Sequence, residues 1–166
     1  MGSFFSKPQT TTVSLSHFRL LRALGKGAFG KVRIVQHLKT KKLYALKYIN
    51  KKKCVAMSAT NNIIQERLLL EKLNNLFICN LCFAFQDDQH LFMVLDLMLG
   101  GDLRFHMERR GRFMEFEIAF LAAEICCGLS FLHSKQIVHR DLKPDNSILY
   151  LSSFTGFEGT CTHHRF

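Results

Sequence analysis

Asp141, Lys143 and Asn146 set a carboxylate, an ammonium and a carboxamide within six residues, in the run His139-Arg140-Asp141-Leu142-Lys143-Pro144-Asp145-Asn146. Asp141 can accept a proton from an attacking hydroxyl, and Lys143 can neutralise charge on a transferring phosphoryl group. Asn146 can ligate Mg²⁺. A polar loop after a helix would read the same way, so the weight of this reading rests on what lies upstream.

Upstream stands Gly25-Lys26-Gly27-Ala28-Phe29-Gly30-Lys31-Val32. A GxGxxG run alone is weak, because dinucleotide folds and ordinary turns use it too. In a dinucleotide fold the last glycine opens a helix. Here Val32, Ile34 and Val35 follow and predict a second strand. A glycine hairpin between strands can lay its backbone N–H groups over a row of phosphates. Seventeen residues after Gly30 comes Lys47, closing the strand-like Tyr44-Ala45-Leu46. A buried ammonium needs a fixed anion, and Glu66 on the following helical segment is the candidate. A surface lysine at a strand end is the alternative.

These residues need elements to hold them. Residues 1–15 are polar and aperiodic and predict a flexible tail. "FRLLRAL", "KVRIVQ" and "KLYALKYIN" predict three strands, with the basic hairpin turn "HLKTKK" between the last two. "NNIIQERLLLEKLNN" has helical spacing. "NLCFAFQ" and "HLFMVLDLM" predict two more strands joined by "DDQ". "LGGDLRFHMERRG" predicts a glycine hinge and a short polar helix. "EFEIAFLAAEICCGLSFLHS" predicts a long helix with Ile118, Leu121, Ala122, Ile125, Leu129 and Leu132 on one stripe. Its other sides also carry apolar residues, so it expects neighbours all round.

Composition narrows the class. The chain has 166 residues, of which 48% are hydrophobic, with 16 Phe and two Pro, as befits a packed core rather than disorder. By linear reading no apolar run is long enough to span a bilayer and no secretory leader appears, so the expected location is cytoplasmic. Six cysteines in such a context predict free thiols and no disulfide partner. Cys79 and Cys82 have metal spacing, but no second pair answers them, and strand alternation would send them to opposite faces. The formal net charge is +10. Lys39, Lys41, Lys42, Lys47, Lys51, Lys52 and Lys53 crowd one region. Nucleic-acid binding is one reading, yet no recognition motif accompanies them; a solvated hairpin turn and a loop is the reading preferred here.

In order and spacing, "GKGAFGKV", "YALK", the glutamate of "QERLLLEKL", the hinge "LDLMLGGDL" and "HRDLKPDN" resemble the eukaryotic protein kinase family over about Phe18 to Asn146. The lysine in the catalytic loop resembles serine/threonine kinases. "FQDDQHLFMVLDLMLGGDLRFH" looks most like the AGC group, and within it the YANK-type kinases. The resemblance implies an α+β, protein-kinase-like fold. Residues 16–98 would form a five-stranded antiparallel N-lobe with one regulatory helix and the hinge, 99–150 the first helices of an incomplete C-lobe, and 151–166 an aberrant tail. It implies ATP and Mg²⁺ as cofactors and a protein serine or threonine as substrate. Gly25, Lys26, Gly27, Ala28 and Gly30 would cover the phosphates, with Phe29 at the loop tip. Leu24, Val32 and Ala45 would sandwich the adenine. Lys47, held by Glu66, would pair with the α/β-phosphates, and Leu95 would be the gatekeeper. The backbone of Asp96 and Met98 would bind the adenine edge and Asp102 would approach the ribose. Asp141 would be the base, Lys143 its catalytic neighbour and Asn146 the metal ligand. Leu70, Leu81 and His139 match three of the four spine residues.

After Asn146 the wording departs from that pattern: Ser147 intrudes and no "DFG" or "APE" follows. Codons permitted for residues 154–166, shifted by one base, can spell "LLDSKGHVHITDF", similar to what AGC kinases carry before the metal-binding aspartate. The expectation is a retained intron or an insertion across about 147–153 that throws the frame. Such a chain would be a kinase fragment; a catalytically inactive nucleotide-binding or scaffolding fragment is the alternative. A small-molecule phosphotransferase is a third option that "HRDLKPDN" with "LGGDL" speaks against.

Met1-Gly2-Ser3-Phe4-Phe5-Ser6-Lys7 fits the N-myristoylation pattern at Gly2. A chance match is the alternative, since few positions are fixed. One acyl chain holds a membrane only marginally, so a second signal is expected, and the lysines of 39–53 could supply it.

Overall fold

A computed structural model describes residues 13–26, 29–149 and 162–164, the last three and 148–149 by backbone alone. Five strands, β1 Phe18–Lys26, β2 Gly30–His37, β3 Leu43–Asn50, β4 Leu81–Gln86 and β5 His90–Leu95, form one sheet in the order β1-β2-β3-β5-β4. Every neighbouring pair is antiparallel. Strand alternation splits β3 between two cores. Tyr44 and Leu46 face a cluster with Phe18, Val35, Phe92 and Val94, covered at its rim by Val13, Leu15, Phe83 and Phe85. Ile49 faces the other way, against Met93 and the helical residues Cys54, Ile63 and Leu70. Lys47 shares that second parity.

Strand β5 stops at Leu95, short of the expected end at Met98. Strand β4 begins at Leu81, which already pairs with Leu95, so no partner continues on that side. Helix α1, Lys51–Ala56, stands where a lysine-rich loop was expected. Asn50 caps it by accepting the Lys53 N–H at 3.0 Å, and the capping side chain before a lysine run was the overlooked signal. Helix α2, Thr60–Lys72, carries Glu66.

Beyond the hinge, helix α3 spans Leu103–Arg110 and helix α4 spans Glu115–Ser134. The buried edge of α4 is Leu121, Glu124, Gly128 and Leu132, whereas Ile118 of the expected stripe is exposed, as are Phe116 and Phe120. By length and composition α4 is apolar enough to cross a membrane. This corrects the linear reading, because Glu117 and Glu124 interrupt the apolar run while twenty helical residues still extend about 30 Å. Leu73 and Ile78 from the sheet side pack on Leu132, Phe131 and Ile137, and that cluster ties the end of α4 to the N-terminal layer. A short pairing of β6, Ser147–Leu149, with β7, Thr162–His164, was not expected. Most of the tail reading falls on residues 150–161 and 165–166, outside the described residues.

Candidate active site

The glycine hairpin closes through Lys26 opposite Lys31, and Gly30 pairs with Ile49 of β3. The Phe29 carbonyl accepts the Asn50 N–H at 3.0 Å, so the loop's return is stitched to the end of β3. A Cβ on Gly30 would run into the Tyr48 carbonyl. Only glycine lets the two backbones lie this close. Gly27 and Ala28, and Gly2 at the amino terminus, lie outside the described residues.

Below the hairpin is a cavity of about 410 Å³. Gly25, Lys26, Phe29 and Gly30 line it from the loop, and Leu24, Val32 and Ala45 form an apolar wall. Leu95, Asp96 and Met98 line it from the segment after β5. Lys47 and Glu66 stand at its polar end, with the Lys47 Nζ donating to Glu66 Oε1 at 2.7 Å. Both side chains are partly exposed, at 29% and 23%, so the ammonium is paired yet still open to a second anion.

Four lining residues escaped the sequence reading: Lys31, Tyr48, Ile49 and Cys79. Ile49 continues the alternation of Ala45 and Lys47, a signal that was available. Cys79 lines the cavity too, just before β4. Cys79 and Cys82 lie on opposite faces of the sheet, as expected, Cys82 packing on the Tyr44 and Leu46 cluster. Yet both thiols reach Asp96, Cys82 donating to its Oδ1 at 3.4 Å and Cys79 to its carbonyl at 3.7 Å. Burial, then the Asp96 carboxylate beside it, pushes the Cys82 thiol up to about 12. The Asp96 N–H is donated to the Asn80 carbonyl at 3.1 Å, and the Asp96 carbonyl, which among the described residues accepts only the Cys79 thiol, keeps a second lone pair for a ligand edge. Asp102 is not among the residues that line the cavity. Its carboxylate caps α3 by accepting the Phe105 N–H at 2.8 Å.

The second group of polar residues gathers on a loop held by the Pro144–Asn146 turn. Lys143 Nζ donates to Asp141 at 2.9 Å, and Asn146 Nδ2 donates to the Asp141 carboxylate at 2.8 Å and carbonyl at 2.9 Å. The Lys143 hydrogen bond first, then that from Asn146, holds the Asp141 carboxyl below its ordinary range. The amide bond uses the nitrogen of Asn146 and leaves Oδ1, the atom with lone pairs for a cation. Arg140 takes a φ of 65°, and Arg104 of α3 reaches Asp145 at 3.6 Å. Asp141, Lys143 and Asn146 do not line the cavity. Ile137 in the Leu132 cluster anchors the chain leading to them.

The protein kinase domain family model matches residues 18–153. The chain is 45% identical to human serine/threonine-protein kinase 32B over 89% of its own length and 37% of that protein's. It is 44% identical to mouse serine/threonine-protein kinase 32C over 82% of its length and 28% of that protein's. To serine/threonine-protein kinase sgk-1 of Caenorhabditis elegans it is 40% identical over 83% of its length and 30% of that protein's. The chain therefore spans about a third of the relatives it matches.

Proposed function

This chain belongs to the protein kinase family, of AGC type, and on that premise we propose that it carries the nucleotide-binding half of an ATP-dependent protein serine/threonine kinase. The observation that carries the reading is the Lys47–Glu66 pair at the polar end of an apolar cavity roofed by the glycine hairpin. The cavity volume falls within the range of small-molecule sites. Its donor set suits a nucleoside triphosphate: an apolar slot for a base, a backbone carbonyl at its edge, and an ammonium below a glycine loop.

Protein kinases in general use ATP and Mg²⁺. When bound, they supply the transferable phosphoryl group and the charge that offsets it. Leu24, Val32 and Ala45 hold the base, with the Asp96 carbonyl and the Met98 backbone at its polar edge. Lys47 holds an α/β-phosphate oxygen, and Glu66 keeps its ammonium from swinging away. Asp141, ionised and steadied by Lys143, accepts the proton of a substrate hydroxyl, and Asn146 presents Oδ1 to Mg²⁺. The substrate is a protein serine or threonine. The enzyme acts in the cytoplasm, at a membrane when Gly2 is acylated.

Titration of the purified chain with a fluorescent ATP analogue, with and without Mg²⁺, tests the binding. Saturable binding lost in Lys47→Met supports the reading, and absence of binding sinks it. Binding without γ-phosphate transfer to a protein acceptor would favour the nucleotide-binding scaffold instead.

A further inference from the structure

The positive charge of this protein is not spread over it. The first 65 residues hold 13 Lys and Arg and no Asp or Glu, and the remaining residues hold 10 and 13. All the excess cation therefore sits in the tail, β1 to β3 and the start of the helices. The fold then divides it further. Lys39, Lys41 and Lys42 lie on the β2–β3 turn, and Lys51, Lys52 and Lys53 lie on α1. These two groups sit at opposite ends of β3, roughly 23 Å apart by the strand rise. Lys51 is also engaged, donating to the Asp87 carbonyl at 2.6 Å. The seven lysines that look like one cluster in sequence are not one surface.

The turn is a built feature. Residues 38–43, Leu-Lys-Thr-Lys-Lys-Leu, are all exposed, with Leu38 at 47% and Leu43 at 40%. The backbone beneath them is fixed. Lys41 N–H donates to the His37 carbonyl at 2.8 Å, and His37 N–H donates to the Lys42 carbonyl at 2.9 Å. Lys41 takes a φ of 60°, and the Lys42 ammonium lies 5.2 Å over the Tyr44 ring. The amino-terminal segment meets this turn: Leu38 N–H donates to the His17 carbonyl at 2.9 Å, and the His37 ring lies against Phe18. Val13 is at the rim of the same side of the sheet. The chain between Gly2 and Val13 can extend at most about 40 Å, so an acyl group on Gly2 and the three lysines can share one plane.

We propose that the β2–β3 turn is a membrane-contact surface, in which Lys39, Lys41 and Lys42 take anionic phospholipid headgroups and Leu38 and Leu43 enter the headgroup boundary. Three lysines flanked by exposed leucines, with no acid nearby in sequence, match an anionic interface. Each lysine close to such a surface adds to the attraction, which fades within a Debye length. The glycine hairpin lies at the other end of β3, beside Asn50, so a bilayer on the turn leaves the nucleotide cavity open. The proposal deepens the acylation reading by naming its second signal.

Co-sedimentation of the full, unacylated chain with phosphatidylcholine vesicles, with and without phosphatidylserine, tests it at low and physiological salt. The phosphatidylcholine arm reports the exposed apolar face of α4 and is subtracted. We expect phosphatidylserine-dependent partition that weakens with salt and falls at least about tenfold in Lys39→Gln/Lys41→Gln/Lys42→Gln. It stays within about twofold when those three become Arg, or in Lys51→Gln/Lys52→Gln/Lys53→Gln. On the unsubstituted chain, phosphatidylserine vesicles should protect Lys39, Lys41 and Lys42 from acetylation more than Lys51, Lys52 and Lys53. Equal losses from the two glutamine triples, equal protection, or partition indifferent to phosphatidylserine overturns the proposal. Preferential capture by a random DNA duplex, lost in the turn triple, also overturns it and makes nucleic acid the partner. Because no acyl chain is present, failure here leaves the Gly2 reading standing, and an unmodified Gly2 leaves this one standing.

Discussion

Lys47 and Glu66 are joined by a 2.7 Å hydrogen bond that links the central strand β3 to helix α2 across the cavity side of the sheet. The bond does two things at once. It satisfies an ammonium in a half-buried position, and it fixes where that ammonium points. A partly exposed pair contributes little to stability, so its value lies in placement.

Glu66→Gln should therefore lower the affinity for a fluorescent ATP analogue by about tenfold, by removing the charge that orients Lys47. The thermal midpoint should hardly move. An equal loss of midpoint and affinity would show that the pair is structural.

Gly30→Ala should cost roughly 1–3 kcal/mol, because its Cβ meets the Tyr48 carbonyl, a backbone atom that cannot turn aside. Gly25→Ala meets nothing within 4 Å and should be nearly neutral in stability. Urea titration of the two variants distinguishes them, and equal midpoints would count against the close approach.

The Asp141 carboxyl is depressed by Lys143 and then by Asn146. A depressed carboxylate stays ionised as the pH falls and is protonated only below its ordinary range. The site thus keeps its base form throughout the neutral and mildly acid region. Lys143→Met removes the larger cause, so the Asp141 titration should move upward, toward the ordinary carboxylate value. Carbon-detected NMR of the side-chain carboxyl checks this, and an unmoved titration would reject the hydrogen bond as the cause.

Iodoacetamide at mildly alkaline pH should label Cys126 and Cys127, which are exposed, well before Cys54 and Cys82. Burial raises both of the latter thiols, and Asp96 adds to the rise at Cys82, so neither presents a thiolate there. Mass spectrometry of the digest reads the order. Asp96→Asn should raise the Cys82 rate, since it removes the neighbouring negative charge.

Leu132 is fully buried between Leu73 and Ile78, and Leu132→Ala should cost about 2–5 kcal/mol. Phe116→Ser and Phe120→Ser, on the exposed side of α4, should leave stability nearly unchanged and improve solubility. Thermal melts and a sedimentation assay separate the two sides of the helix.

The motifs were legible in the sequence because they report local backbone needs. The glycine loop, the strand alternation through Ala45 and Lys47, and the carboxylate–amide run at Asp141–Asn146 each declare themselves within a few residues. The five strands followed from the same alternation. What linear text could not give is distance between segments. The predicted strand already separates Lys39 from Lys51 but does not say what each end meets: the turn meets the His17 carbonyl and Lys51 reaches the Asp87 carbonyl only because the sheet folds them together. Nor could it bring Cys79 and Cys82 to one aspartate, because Asp96 follows a different strand and meets them only through the sheet. Which side of α4 is buried was likewise decided by its neighbours: the helix is apolar on several sides, and packing by Leu73 and Ile78 selected the edge that ends in Leu132. The sequence determined which groups exist and which local backbone shapes they require. The tertiary structure decided which of them meet, because contact across a fold depends on packing between elements that no single stretch encodes.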